Sequence, residues 1–192
     1  MTDVELPTEP ASAGTDEAVD AVDFWRAAGP GRWFSKDTAF DQLFRQRFLD
    51  TYRAIASRVQ DAWLATPVGA LALVLLTDQF PRNAFRGTAQ MYATDALARH
   101  FALRAMDAGH MRAVDAPMQL FFCLPFAHAE DLAGQDLSVR LHEKLGQPWL
   151  SHALGHRDII RRFGRFPHRN ALLGRATTPL EQAFLDKGGF CG

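Results

Sequence analysis

From Thr38 onward the apolar positions Phe40, Leu43, Phe44, Phe48, Tyr52 and Ile55 recur three or four residues apart, which puts them on one face of a long amphipathic helix. Asp41, three residues after Thr38, reads as its capping partner. Two later runs have no polar face. Ala70-Leu71-Ala72-Leu73-Val74-Leu75-Leu76 follows Thr66-Pro67, a favoured helix start, and Met118-Gln119-Leu120-Phe121-Phe122-Cys123-Leu124 follows Asp115 and Pro117. Helices apolar on every side must be surrounded by other helices. Pro81 is expected to stop the first run and Pro125 the second, because proline offers no N–H to the preceding turn. Between them a helix is predicted from about Thr94 to Met106. After them, His128 to Asp131 opens a helix running through Leu145, Trp149 to Phe163 forms the next, and Thr178-Pro179-Leu180-Glu181 is a capping box for the last. No alternating run is long enough for a strand. The pattern predicts an all-α fold of consecutive antiparallel helix pairs.

Ahead of Ala21-Val22-Asp23-Phe24-Trp25 the residues change character. Asp3, Glu5, Glu9, Asp16 and Glu17 lie among Pro, Ser, Thr, Gly and Ala with no base and no aromatic, so residues 1–20 read as a disordered acidic tail and residues 21–192 as a single helical domain. A chain of 192 residues suits one core, and 15 Phe and 4 Trp against 2 Tyr favour dry packing between helices. A net charge of -1 argues against nucleic-acid binding. Cys123 and Cys191 have no partners at finger or disulfide spacing, no secretory pattern opens the chain, and no apolar run approaches the roughly 18 residues that cross a bilayer. A cytoplasmic protein without membrane contact is expected.

The candidate chemistry is cationic. Arg161 to Arg175 holds five arginines, one histidine and no acid. Arginine is suited to forked contact with carboxylate or phosphate, so the stretch is either an anion-binding surface or half of an internal salt-bridge network involving Asp78, Glu130, Asp131 and Asp158. Its Phe166-Pro167-His168-Arg169-Asn170 corner echoes Phe80-Pro81-Arg82-Asn83, which suggests a pseudo-repeat whose arginines reach a shared space. Asp78, Arg82, Asn83, Arg86, Arg165, His168, Arg169 and Asn170 are the candidate ligand-binding residues, and the ligand expected is a small anion, phosphate or carboxylate. His128 and Glu130 stand close enough in sequence for the carboxylate to set the imidazole's tautomer, and with His156 they are the candidates for acid–base catalysis. His152 and His156 have metal-ligand spacing but lack the usual companions, and no phosphate-loop, dinucleotide or nucleophile-elbow motif occurs. No metal and no cofactor is expected.

Asp23-Phe24-Trp25, Trp33-Phe34-Ser35-Lys36-Asp37, Asp78 to Asn83, His128-Ala129-Glu130, and His156 through Arg175 together resemble the bacterial domain of unknown function 924 family, over about Val22 to Leu185. The resemblance implies a right-handed helical array similar to tetratricopeptide-repeat proteins, and no substrate. Members commonly read His-Ser-Glu at His128-Ala129-Glu130, so this chain lacks a hydroxyl there. Three readings stay open: an anion-binding pocket, an enzyme using His128, Glu130 and His156, and a scaffold that docks a peptide or a second copy as a homodimer.

Overall fold

A computed structural model describes residues 13–190, and all of their regular structure is helical. Helix α1 spans Ala13–Ala28, α2 is the short turn Pro30–Trp33, and α3 spans Thr38–Ala56. The tail boundary therefore moves. Residues 1–12 lie outside the described residues, but 13–20 are helical, Ala18 is buried against the core and Asp20 pairs with Arg47 of α3. Small alanines at 18 and 21 let α1 sit close, which the acidic composition of the segment concealed. The cap of α3 is also one residue off expectation. Asp37 accepts from the backbone N–H of Ala39 and Phe40, which frees Asp41 for another task.

The apolar run forms α4, Pro67–Val74, capped by the Thr66 hydroxyl, and it is buried throughout as predicted. Pro81 does not stop it. The helix widens into a π turn over Leu75–Gln79 and continues as α5, Phe80–Ala84, with the Phe80 N–H reaching back to the Leu75 carbonyl. Pro81 cannot donate to the carbonyl of Thr77, and that oxygen accepts from the Thr94 hydroxyl at 2.7 Å instead. Thr77 and Thr94 are both buried, so Thr94→Val, which keeps the shape and removes the donor, is expected to lower stability by about 1–3 kcal/mol, read as a lower urea midpoint at unchanged slope.

Helix α6 spans Asp95–Asp107, α7 Ala116–Ala127, α8 Leu132–Leu145, α9 Trp149–Phe163 and α10 Pro179–Asp186. Pro125 lies inside α7, two residues before its end, where it removes one hydrogen bond without blocking the last turn. His128 is consequently the C-cap of α7, and the next helix starts only at Leu132, capped by Asp131. The capping box at Thr178 and Glu181 is formed. From α7 to α9 each helix packs on its predecessor, whereas in the first half α4 is held between α1 and α6, and α3 packs on α5. A column of rings from Phe24, Trp25, Phe40 and Phe44 through Phe80, Tyr52 and Phe85 joins these layers, with centroids 5.0–6.0 Å apart. The phenylalanine-rich composition supplies this dry contact. No helix among the described residues is long and apolar enough to cross a membrane.

Candidate functional site

The π turn determines where the charged groups emerge. A wide turn redirects the residues that follow it, and such turns recur at functional positions. Here it buries Asp78 completely, at the junction of α4, α5 and the end of α7. Oδ1 of Asp78 lies 2.7 Å from Nδ1 of His128 and 3.3 Å from Nη1 of Arg82, while Oδ2 accepts from the Gln79 amide at 2.6 Å. Burial alone would raise the Asp78 carboxyl, but the Arg82 charge and the His128 and Gln79 contacts bring it down to about 2. His128 shifts the other way: burial and the neighbouring Arg82 depress it below its usual value. The two directions agree on one arrangement. Asp78 is ionised and matched by Arg82, His128 is neutral, and its Nδ1–H must donate to Asp78. Its Nε2 is therefore a free acceptor, and the side chain keeps 18% exposure.

The carboxylate partner of His128 is thus Asp78 rather than Glu130. Glu130 accepts from Arg175 through both oxygens, at 2.6 and 3.0 Å, and from the Phe166 N–H at 2.7 Å. Although burial works against it, these donors hold its carboxyl below the usual range. Glu130 ties the α7–α8 connection to the second corner, with both carboxylate oxygens occupied.

The two Phe-Pro corners do converge, on a residue the sequence reading did not single out. Asp95, first residue of α6, has Oδ1 2.8 Å from Nη1 of Arg82 and Oδ2 3.3 Å from Nη1 of Arg169, so each corner delivers one guanidinium to the same carboxylate. Arg169 also donates to the His128 carbonyl at 3.1 Å and lies between the faces of Tyr92 and Phe166, 4.5 and 4.6 Å from their centroids. Asp95 reads in sequence as an ordinary acid in a first helical turn, and Tyr92 as a loop residue, so only the folded chain marks them. Three atoms at this junction are left over. Nη2 of Arg82, Nε of Arg169 and Oδ1 of Asp95 are buried without a well-aligned hydrogen-bond partner.

The remaining candidates are committed elsewhere. Arg86 and Asn83 both bind Asp41, with the Arg86 Nε at 2.7 Å and the Asn83 amide at 2.7 Å. Arg165 forks onto Glu181 at 2.6 and 2.9 Å and holds that carboxyl down at about 2. Asn170 accepts from Arg175 at 3.0 Å. These four residues are held in contacts between chain segments. His156 and His168 flank Phe190, 4.6 and 5.1 Å between centroids, each with a buried Nδ1 that has no partner, and burial pushes them down to about 3 and about 4. A groove of 290 Å³ runs beside His156 along α9, lined with His152, Gly155, Phe184 and Phe190. Among the described residues, no group of three or more His, Cys, Asp or Glu is arranged to hold a metal ion.

A family model described as a bacterial protein of unknown function (DUF924) matches residues 21–189. Among solved structures, a protein of unknown function from Agrobacterium tumefaciens is 55% identical, with a TM-score of 0.89 over 91% of this chain and 99% of that one. No curated protein matches.

Proposed function

The chain belongs to the DUF924 family of bacterial proteins of unknown function, and for it we propose the binding of a small anion at the junction of Arg82, His128 and Arg169. One observation carries this reading: Nη2 of Arg82 and Nε of Arg169 are buried donors without acceptors, either side of Asp95 and beside an imidazole that keeps some exposure. An orphaned buried donor costs the full desolvation of its N–H unless something outside the polypeptide accepts it. A compact oxyanion satisfies two such donors at once. Relative to the sequence reading, the donor set loses Asn83, Arg86, Arg165, His168 and Asn170 and keeps Arg82 and Arg169, with Asp78 as the carboxylate neighbour of Arg82.

The test is a thermal-shift panel of phosphates and carboxylates. A ligand at a hundred times its Kd stabilises the fold by about 2.7 kcal/mol, which for a domain of this size is about 5–10 °C in Tm. Arg169→Lys retains a charge against Asp95 but removes Nε–H and the planar fork, so it is expected to fold and to lose most of the shift. A panel without a hit, or a shift unchanged in Arg169→Lys, contradicts the reading.

A second reading is favoured by the Asp78–His128 hydrogen bond of 2.7 Å. An ionised, buried carboxylate that fixes the Nδ1–H tautomer leaves Nε2 as a base with a defined direction, the arrangement a general acid–base needs. In that case His128 exchanges the proton, Asp78 orients it, and Arg82 and Arg169 hold the negative charge of the substrate. His128→Gln would then abolish turnover of a substrate found in the panel while leaving its binding largely intact; turnover retained in that variant rules the reading out.

A further inference from the structure

The charges around His128 balance without it. Asp78 and Asp95 carry two negative charges, and Arg82 and Arg169, bonded to those same carboxylates, carry two positive ones. The next shell closes in the same way, Glu130 on Arg175 and Glu181 on Arg165. An anion added to an electroneutral, largely dry cluster leaves one charge uncompensated, which is strongly unfavourable in such surroundings. One titratable group is placed to correct this, since His128 has one nitrogen anchored on Asp78 and the other free. Building on the anion-binding reading above, we infer that the ligand is a monoanion and that it enters together with one proton, which settles on Nε2 of His128 and faces the bound oxygen.

No other group facing His128 can take that role. On the π turn and α5, Asp78 and Arg82 are paired with each other; on α6, Asp95 is shared between two arginines; at the second corner, Arg169 is a permanent cation. His142 on α8 is buried, with its Nδ1 against the Ser138 carbonyl at 2.8 Å. His156 on α9 and His168 at the corner are held neutral among Phe166 and Phe190. His128 itself starts neutral, pushed below its usual value by burial and by Arg82, so the proton must come from solvent on binding. A dianion needs a second proton, and the cluster offers no second site for one.

Isothermal titration of the full chain with acetate, formate and sulfate, in buffers of different ionisation enthalpy between pH 6.5 and 8, tests this. Acetate or formate is expected to bind with uptake of one proton and with a Kd that weakens about tenfold per pH unit, and sulfate at least about tenfold more weakly than either at pH 7. His128→Gln, which cannot take up the proton, should bind the monoanion at least about tenfold more weakly at pH 7, with no proton uptake and no dependence on pH. Monoanion binding that takes up no proton and is flat with pH, proton uptake persisting in His128→Gln, or tighter binding of sulfate each overturns the inference and leaves anion binding standing. Absence of binding by every probe across the range overturns both.

Discussion

Replacing Asp78 with alanine is expected to lower the unfolding free energy by about 3–5 kcal/mol, out of the 5–15 kcal/mol typical of a domain. The size follows from what the carboxylate leaves behind. Arg82 loses the partner that matches its charge on the α5 side, His128 loses the acceptor for its Nδ1–H, and the Gln79 amide loses its bond, with the vacated position itself fully buried. Asp95 still faces Arg82, so the guanidinium is not wholly stranded and the loss stays within this range. Asp78→Asn, which keeps an acceptor for His128 but not the charge, should fall between the two. Urea unfolding followed by circular dichroism measures all three proteins, and a loss below about 1 kcal/mol for the alanine variant would show that the fold does not depend on the buried cluster.

The second large effect is acid sensitivity that begins well above the carboxylate range. A histidine titrates near 6.5 in the unfolded chain, whereas His156 and His168 are pushed by burial down to about 3 and about 4 in the fold. Between those values and about 6.5 the unfolded chain binds more protons, so stability falls as pH falls through that window. Each site contributes about 1.4 kcal/mol per pH unit, and together up to about 4 kcal/mol by pH 5. Asp78 and Glu181 act later and with the opposite chemistry. Their carboxyls, held at about 2, stabilise the fold above about 4 and lose that contribution as pH drops from there towards about 2. Urea midpoints at pH 7.5, 6 and 5 separate the stages, because the carboxylate stage has not begun at pH 5. The double variant His156→Phe, His168→Phe should flatten the curve between pH 7.5 and 5, and a wild-type midpoint that does not move over that interval would contradict the assignment.

Much of the architecture could be read from local pattern. The period of α3, the all-round apolar α4 and α7, and the Thr178 capping box depend on residues within a turn or two of each other, and each is found in place. The errors share a cause. Pro81 and Pro125 read as stops because their local chemistry forbids a hydrogen bond, but a wider turn, a hydroxyl from Thr94 and a late position in the helix accommodate the loss. Segment 13–20 reads as tail because its acids mask Ala18, which with Ala21 lets the helix pack. For the candidate site, the structure brings Arg82, His128 and Arg169 together, and it pairs His128 with Asp78 rather than with Glu130. Which acid meets which base is settled by contacts spanning 50 residues from Asp78 to His128 and 74 from Asp95 to Arg169, and no local spacing encodes those.

The extra residue held in the Leu75–Gln79 turn sets the angular phase of everything beyond it. Excising one residue there would restore ordinary α geometry and rotate Arg82, Asn83 and Arg86 by about 100° around the helix axis, swinging each away from the acid it now meets. The insertion acts as a rotational offset between an oily rod and its polar cap. A designer wishing to graft this cluster onto another scaffold would have to carry that misfit along with the side chains.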